Sequence, residues 1–344
     1  MQSRLDNEPI TIKMQDIVNG RVDPKMVSER TIVQTMYDYF RENGFPFYQK
    51  QSPQIVLREL TNFKVDRLVE GDIINQSMDG LGCINYYFPH MWYVRCNDHL
   101  SPMDVFNNDE KLKIVLNKVW KWCIKHENHK VSFNRIRQGL KIYGGAYAVS
   151  NFRPTVAKYI YEKYGGKKVW DMCAGWGGRL LGALSSKNVK YYYGTEPSTK
   201  TYLGLIDIKK DFNFVDKKVI IECSTSEDYI PDYNLDLCFT SPPYFNTEKY
   251  SDEPTQSYIK YPTYDIWKND FLYMLIDNCY MALKEDGILI INIANTPKQK
   301  TIETDVKNIF KNVGFKLIKT YKMVLSSVAG KGIKYEPIFV CEKS

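Results

Sequence analysis

From Asn151 onward the apolar positions alternate between two periods. Compact apolar runs predict strands at Lys168–Trp170, Val189–Tyr193, Val219–Glu222, Leu235–Phe239, Gly287–Ile293, Phe315–Met323 and Glu336–Cys341. Between them, apolar residues spaced by three and four predict helices over Pro154–Tyr164, Arg179–Leu184, Tyr202–Lys210, Tyr264–Leu283 and Thr301–Val313, the last ended by Gly314. Strand–helix alternation of this kind predicts an α/β fold with a doubly wound, mostly parallel sheet covered on both faces.

The first 150 residues follow no such rhythm. Thr31, Ile32, Val33, Met36, Tyr37 and Phe40 have helical spacing within Arg30–Arg41. Leu112, Val115, Leu116, Val119, Trp120 and Cys123 mark a helix over Lys111–His126. Ile73-Ile74, Gly80 and Gly82 suggest short strands and turns, and two aromatic stretches are broken by prolines. The uncharged stretch Ile142–Ser150 reads as a junction. The expectation is an α+β accessory domain at 1–150 and a second domain at 151–344.

Composition changes the picture in two places. The chain has 344 residues, 44% hydrophobic and 25% charged, enough for two packed domains. It has no apolar run of membrane-spanning length, and no secretory leader is read at Met1-Gln2-Ser3-Arg4. The eight cysteines are scattered without Cys-x-x-Cys pairs, so reduced thiols in a cytoplasmic protein are expected, with no metal site. Net charge is +7, but residues 1–110 carry 11 basic and 16 acidic groups, while nine Lys or Arg face one acid, Glu127, between Lys111 and Lys141. Lys121, Lys125, Lys130, Arg135, Arg137 and Lys141 are therefore expected to contact phosphates.

The chemistry lies at strand ends. Thr240-Ser241-Pro242-Pro243-Tyr244 follows the run Leu235–Phe239. Two prolines lack N–H groups and fix φ, so they end the ladder in a stiff elbow. The elbow offers a hydroxyl, proline carbonyls and an aromatic ring, a set that suits a planar ring with an exocyclic amine. Asp171-Met172-Cys173-Ala174-Gly175-Trp176-Gly177-Gly178 links a strand to a helix through glycines that let a ligand approach the backbone. Glu196-Pro197 ends the next strand, where nucleoside-binding folds hold ribose hydroxyls. Asp228, or with less weight Glu227, follows the third strand beside Tyr229 and can accept from an adenine amino group. Phe245–Pro262, rich in tyrosine, is an insert directly after the elbow, and Tyr250 within it is expected to touch nucleic acid. Ser326–Lys334, with Gly330, Lys331 and Gly332, reads as a second loop near phosphate.

These motifs, in this order, resemble the class I S-adenosylmethionine-dependent methyltransferases. Within them residues 151–344 resemble the DNA amino-methyltransferases of cytosine N4 and adenine N6. The resemblance rests on the loop from Asp171 to Gly177, on Glu196, on Asp228 and on Ser241-Pro242-Pro243-Tyr244, with Phe152 where the family has an aromatic at the methionine end of the cofactor. It implies a seven-stranded Rossmann-like sheet. It also implies S-adenosylmethionine held by Phe152, Asp171, Cys173, Ala174, Gly175, Gly177, Glu196, Pro197, Asp228 and Tyr229. Catalysis is then expected from Ser241, Pro242, Pro243 and Tyr244 on a base flipped out of duplex DNA. Restriction–modification is the implied setting, in a prokaryote or phage. Serine at 241 favours cytosine N4. Adenine N6, RNA bases, protein glutamine and a non-catalytic subunit are the alternatives. Target recognition is expected from residues 1–150, from the insert or from a partner.

Overall fold

The computed structural model describes residues 12–96, 98–328 and 332–344. Gly330 and Lys331 therefore lie outside the described residues, as does Met1-Gln2-Ser3-Arg4. The chain forms two compact units, one of residues 1–47 and 91–149, the other of 48–90 and 150–344. This differs from a division at residue 150: the segment 48–90 packs with the sheet.

The sheet belongs to the second unit and has nine strands. They are β1 (Val69–Glu70), β2 (Ile73–Ile74), β3 (Lys168–Asp171), β4 (Tyr191–Thr195), β5 (Lys218–Glu222), β6 (Leu235–Thr240), β7 (Leu283–Asn292), β8 (Phe315–Val328) and β9 (Gly332–Lys343). Their order is β1-β2-β8-β9-β7-β6-β3-β4-β5. The central strands are parallel, with β3 between β4 and β6, and β6 beside β7. β9 runs antiparallel to both β7 and β8. The Rossmann-like α/β fold expected from the sequence is present, with seven strands as expected and two more, β1 and β2, added at the edge. β2 is parallel to β8 through Lys322–Ile73 and Met323–Ile74. The expected loop at Ser326–Lys334 is largely strand, since β8 and β9 continue their pairing to Val328 and Gly332.

One buried side chain explains why 48–90 belongs here. Lys158, 1% exposed, donates to the carbonyls of Leu60 (2.8 Å), Thr61 (2.8 Å) and Phe63 (2.9 Å). These carbonyls end the helix Pro53–Asn62, where unpaired acceptors and the helix dipole both favour a cation. The core beneath the sheet gathers Trp170, Leu235, Trp267, Leu275, Leu289, Ile291, Phe310 and Phe339. The long helical stretch Tyr264–Ala282 appears as expected, but its middle, Trp267–Tyr273, widens to π geometry.

The first unit is built from helices, chiefly Glu29–Asn43, Asp109–His126 and Phe133–Ile142, with one two-residue strand, Arg95–Cys96. Ile32, Met36 and Phe40 of the first helix are buried, as are Leu112, Val115, Leu116, Val119 and Trp120 of the second. Its α character exceeds the α+β expectation because the aromatic, proline-broken stretches pack as turns and short helices. Among the described residues no helix is long and apolar enough to cross a membrane, and no group of three or more His, Cys, Asp or Glu could hold a metal. All eight cysteines are free.

Candidate active site

A cleft of about 330 Å³ opens at the carboxyl ends of β3, β4 and β6, within the second unit. The tight turn after β3 forms its floor. Gly175 (φ +53°) and Gly177 (φ +72°) both adopt left-handed backbone that glycine alone takes without strain. A Cβ on Gly175 would meet only the Cys173 carbonyl, at 3.6 Å, so this backbone is open to a ligand. Cys173, Ala174, Gly175 and Trp176 line the cleft, and burial pushes the Cys173 thiol up. Gly177 does not line it. It caps the helix Gly178–Ser185, and a Cβ there would strike Ile208 at 2.7 Å.

Asp171 departs from expectation in the same way. It is fully buried and spoken for. Arg179 Nε (2.9 Å) and Tyr192 OH (2.8 Å) donate to Oδ2, and Thr240 Oγ1 (3.0 Å) donates to Oδ1. Arg179 also reaches the Cys173 carbonyl. An aspartate with these partners has no reason to pair with a ligand ammonium. It anchors the turn instead. Thr240 extends the tie, because its hydroxyl accepts the Cys173 N–H at 3.1 Å and so fastens the elbow to the glycine turn.

Glu196 and Pro197 are on the cleft wall, as expected. Glu196 accepts the Gly175 N–H through Oε2 and the Ser198 N–H through Oε1, both at 2.9 Å. Burial pushes its pKa up to about 7, opposed by those two N–H groups. A carboxylate in this setting gains from hydroxyl donors, the groups a ribose carries. On the third loop Glu227 lies on the cleft wall, where it accepts from Tyr261 OH at 2.7 Å, and Asp228 does not. Asp228 points outward, held by Thr225 Oγ1 and Lys260 Nζ, each at 2.7 Å. Neither Asp228 nor Tyr229 lines the cleft, whereas Thr225, Ser226 and Glu227 do. The buried Asn278 fixes this loop by donating to the carbonyls of Ser226 (2.9 Å) and Glu227 (3.0 Å).

Phe152 lines the cleft, edge-on to Phe239 at 5.5 Å and below Arg179 at 5.5 Å. Asn151 holds it there by donating to the Trp176 carbonyl at 2.7 Å.

Ser241, Pro242, Pro243 and Tyr244 form the opposite wall. The Pro243 carbonyl accepts the Phe245 N–H at 3.0 Å. Phe245 has φ +58°, a strained value for a non-glycine residue, and its ring packs on Tyr264 and Trp267. The turn thus consumes the Pro243 carbonyl rather than that of Pro242. The Tyr244 hydroxyl is 3.5 Å from Ser241 Oγ, 3.3 Å from the Asn292 carbonyl and 3.4 Å from Glu336 Oε2, and burial pushes its pKa up. Asn292, Glu336, Glu248 and Gln76 also line the cleft. The sequence reading passed over them: Gln76, Asn292 and Glu336 sit far along the chain from the cofactor loop and the elbow, and Glu248 lies in the insert, where the tyrosines carried the pattern.

The insert is ordered and braced. Glu253 accepts the Thr199 N–H (3.0 Å) at the start of the helix Thr199–Asp211, and Thr255 donates to the Pro197 carbonyl (3.3 Å). Lys260 bridges Glu227 (3.0 Å) and Asp228 (2.7 Å). Tyr250 stands edge-on to Trp176 at 5.7 Å and lines the cleft, so it is a wall of the site rather than an outlying surface group.

The basic stretch of the first unit is largely committed elsewhere. Arg137 is 7% exposed and donates to the Pro46 carbonyl at 2.7 Å. Arg135 stacks on Trp122 at 3.5 Å and pairs with Glu127 at 2.8 Å. Lys121 pairs with Glu29 at 3.1 Å, and Lys141 lies over Trp92 at 5.2 Å. Lys125 and Lys130 are exposed. Arg137 is a core residue, which removes it from any phosphate surface.

No protein-family model and no curated protein matches this sequence. Solved structures with a similar fold include an S-adenosylmethionine-dependent O-methyltransferase from Thermotoga maritima (14% identity, 57% of this chain and 67% of that one, TM-score 0.38). A magnesium protoporphyrin IX methyltransferase from Synechocystis is also similar (15%, 55% and 77%, TM-score 0.38), as is a putative RNA methyltransferase from Pyrococcus horikoshii (15%, 55% and 82%, TM-score 0.37). These likenesses are distant, and the functional reading rests on the site's own residues.

Proposed function

We propose that the protein is an S-adenosylmethionine-dependent methyltransferase acting on an exocyclic amino nitrogen of a nucleic-acid base. DNA is the favoured polymer and cytosine N4 the favoured position. The observation that carries this reading is the shared cleft: the glycine turn with Glu196 forms one wall and the Ser-Pro-Pro-Tyr elbow the other. The residues fit the cofactor. Glu196 would hold ribose hydroxyls, Thr225, Ser226 and Glu227 the base end, and Phe152 with the Cys173–Gly175 backbone the amino-acid end. When bound, S-adenosylmethionine supplies an electrophilic methyl group.

The elbow supplies what such a reaction lacks. An aromatic amine delocalises its lone pair into the ring and is a poor nucleophile. Ser241 Oγ and the Pro242 carbonyl can accept its two hydrogens, which localises the lone pair and aims it. The Tyr244 ring stacks on the base, and the insert excludes water. Positioning of this kind supplies most of the acceleration. Phosphate contact falls to the exposed Lys125 and Lys130 rather than to the whole basic stretch.

The test is to incubate unmodified DNA with the protein and S-adenosylmethionine, then digest and weigh the nucleosides. N4-methylcytosine is expected, N6-methyladenine would move the assignment to adenine, and neither would refute the reading. Ser241→Ala and Tyr244→Ala should lower product formation about 10²-fold or more while leaving cofactor affinity within twofold.

A further inference from the structure

Two carboxylates face the elbow without a part in the reading above. Glu336 on β9 has Oε2 3.4 Å from the Tyr244 hydroxyl. Glu248, from the insert, joins it on the cleft wall with Ser241, Pro242 and Asn292. Among the described residues neither is in an ion pair. The groups facing Glu336 are Lys334 two residues earlier, Tyr244, Asn292 and Glu248; those facing Glu248 are Glu336 and Tyr250.

Like charges side by side in a half-buried pocket do not both ionise readily. Burial and the neighbouring Glu336 push Glu248 up to about 7. Burial also raises Glu336, but Lys334, Tyr244 and Asn292 oppose the rise. Two such neighbours hold one proton between them more readily than none, and burial beside Glu336 favours that proton on Glu248, so this wall offers an acid proton next to a carboxylate. The acid proton matches the ring nitrogen that cytosine and adenine carry beside the amino group on one edge, while the hydrogens of that amine face Ser241 and Pro242.

We propose that Glu248 and Glu336 grip this edge of the target base, Glu248 donating to the ring nitrogen and Glu336 taking the proton that the amine sheds. The inference rests on the amino-methylation reading. It also answers a need created by serine at 241, since neither a hydroxyl nor the Pro242 carbonyl is basic enough to carry a proton away. The amine lone pair forms the new N–C bond, and the C–S pair stays on the donor's sulfur, which becomes a neutral thioether. The N–H pair returns to nitrogen as the proton passes to the Glu336 carboxylate and then to solvent.

The test compares wild type, Glu336→Gln and Glu248→Gln on unmodified DNA from about pH 6 to about pH 9, with cofactor affinity measured by calorimetry. Glu336→Gln, which cannot take up the proton, is expected to slow methylation about 10²-fold across this range. Glu248→Gln keeps a donor, so it should hold KM near the wild-type value and remove the rise of KM that wild type shows above about pH 7, and both variants should bind S-adenosylmethionine within twofold of wild type. A wild-type rate in Glu336→Gln, with active wild type, overturns this role alone. Loss of cofactor affinity in that variant overturns it too, because the residue would then serve the cofactor or the fold. If wild type yields no methylated nucleoside, the amino-methylation reading falls and this role with it.

Discussion

Replacing Glu196 by glutamine separates the two things its carboxylate does. Glu196 is 8% exposed, and burial lifts its pKa from 4.5 to about 7. A carboxyl with a raised folded pKa stabilises the fold fully below its unfolded pKa and loses that contribution as pH climbs toward the folded value. The window here is 4.5 to about 7, and at about 1.36 kcal/mol per pH unit the loss is about 3 kcal/mol. Glutamine stays neutral and escapes it. Its NH2, however, must replace one of the two oxygens that accept from Gly175 and Ser198, and a donor facing a donor costs about 1–3 kcal/mol. Without cofactor, the variant should be less stable than wild type near pH 5 by that amount, and equal or more stable near pH 8. With S-adenosylmethionine the order reverses at pH 8, because the ribose loses an anionic acceptor worth about 1.5–3 kcal/mol, a tenfold to hundredfold loss of affinity. Urea unfolding at both pH values and calorimetric titration measure these effects. A stability deficit that is the same at pH 5 and pH 8 would refute the buried-carboxyl argument, and unchanged cofactor affinity would remove Glu196 from the site.

Two further outcomes test the fold and the basic surface. Lys158→Met should destabilise the second unit by about 3 kcal/mol or more, since three carbonyls lose their donor; urea unfolding reads it, and a loss under about 1 kcal/mol would contradict the packing described. Lys125→Glu with Lys130→Glu should weaken DNA binding and flatten its salt dependence without lowering the melting temperature, whereas Arg137→Ala should lower that temperature; anisotropy titrations and thermal melts separate the two.

The strands and helices after Asn151 were legible because each carries one sustained period. Pro154–Tyr164 was placed to the residue, and Val189–Tyr193 slipped by two because the lone apolar Val189 marks a start and Gly194-Thr195, which belong to the strand, have the character of a turn. The motif residues were legible as types but not as partners. Asp171 looked like a ligand group because spacing along the chain does not show that Arg179 neutralises it or that Tyr192 and Thr240 fill its remaining acceptor sites. Asp228 and Glu227 are adjacent and share Lys260, and only burial on the cleft wall, which Glu227 has and Asp228 lacks, tells them apart. Arg137 counted as surface charge because a tally of lysines and arginines carries no burial. The segment 48–90 joins the sheet through a two-residue strand and one lysine, too little pattern to see along the chain.

The bracing of the insert bears on turnover. Its wall residues Thr255, Gln256 and Ser257 meet the cleft between fixed points at Glu253 and Lys260, with Tyr250 just before them. On the proposed function, spent cofactor and modified base leave past the same cover. Departure then waits on parting Glu253 from a helix N-terminus and Lys260 from two acids, contacts that dissolved ions weaken. Salt would loosen the hold of Lys125 and Lys130 on a polyanion and at the same time ease the parting of the insert, so tight binding and fast cycling pull against each other.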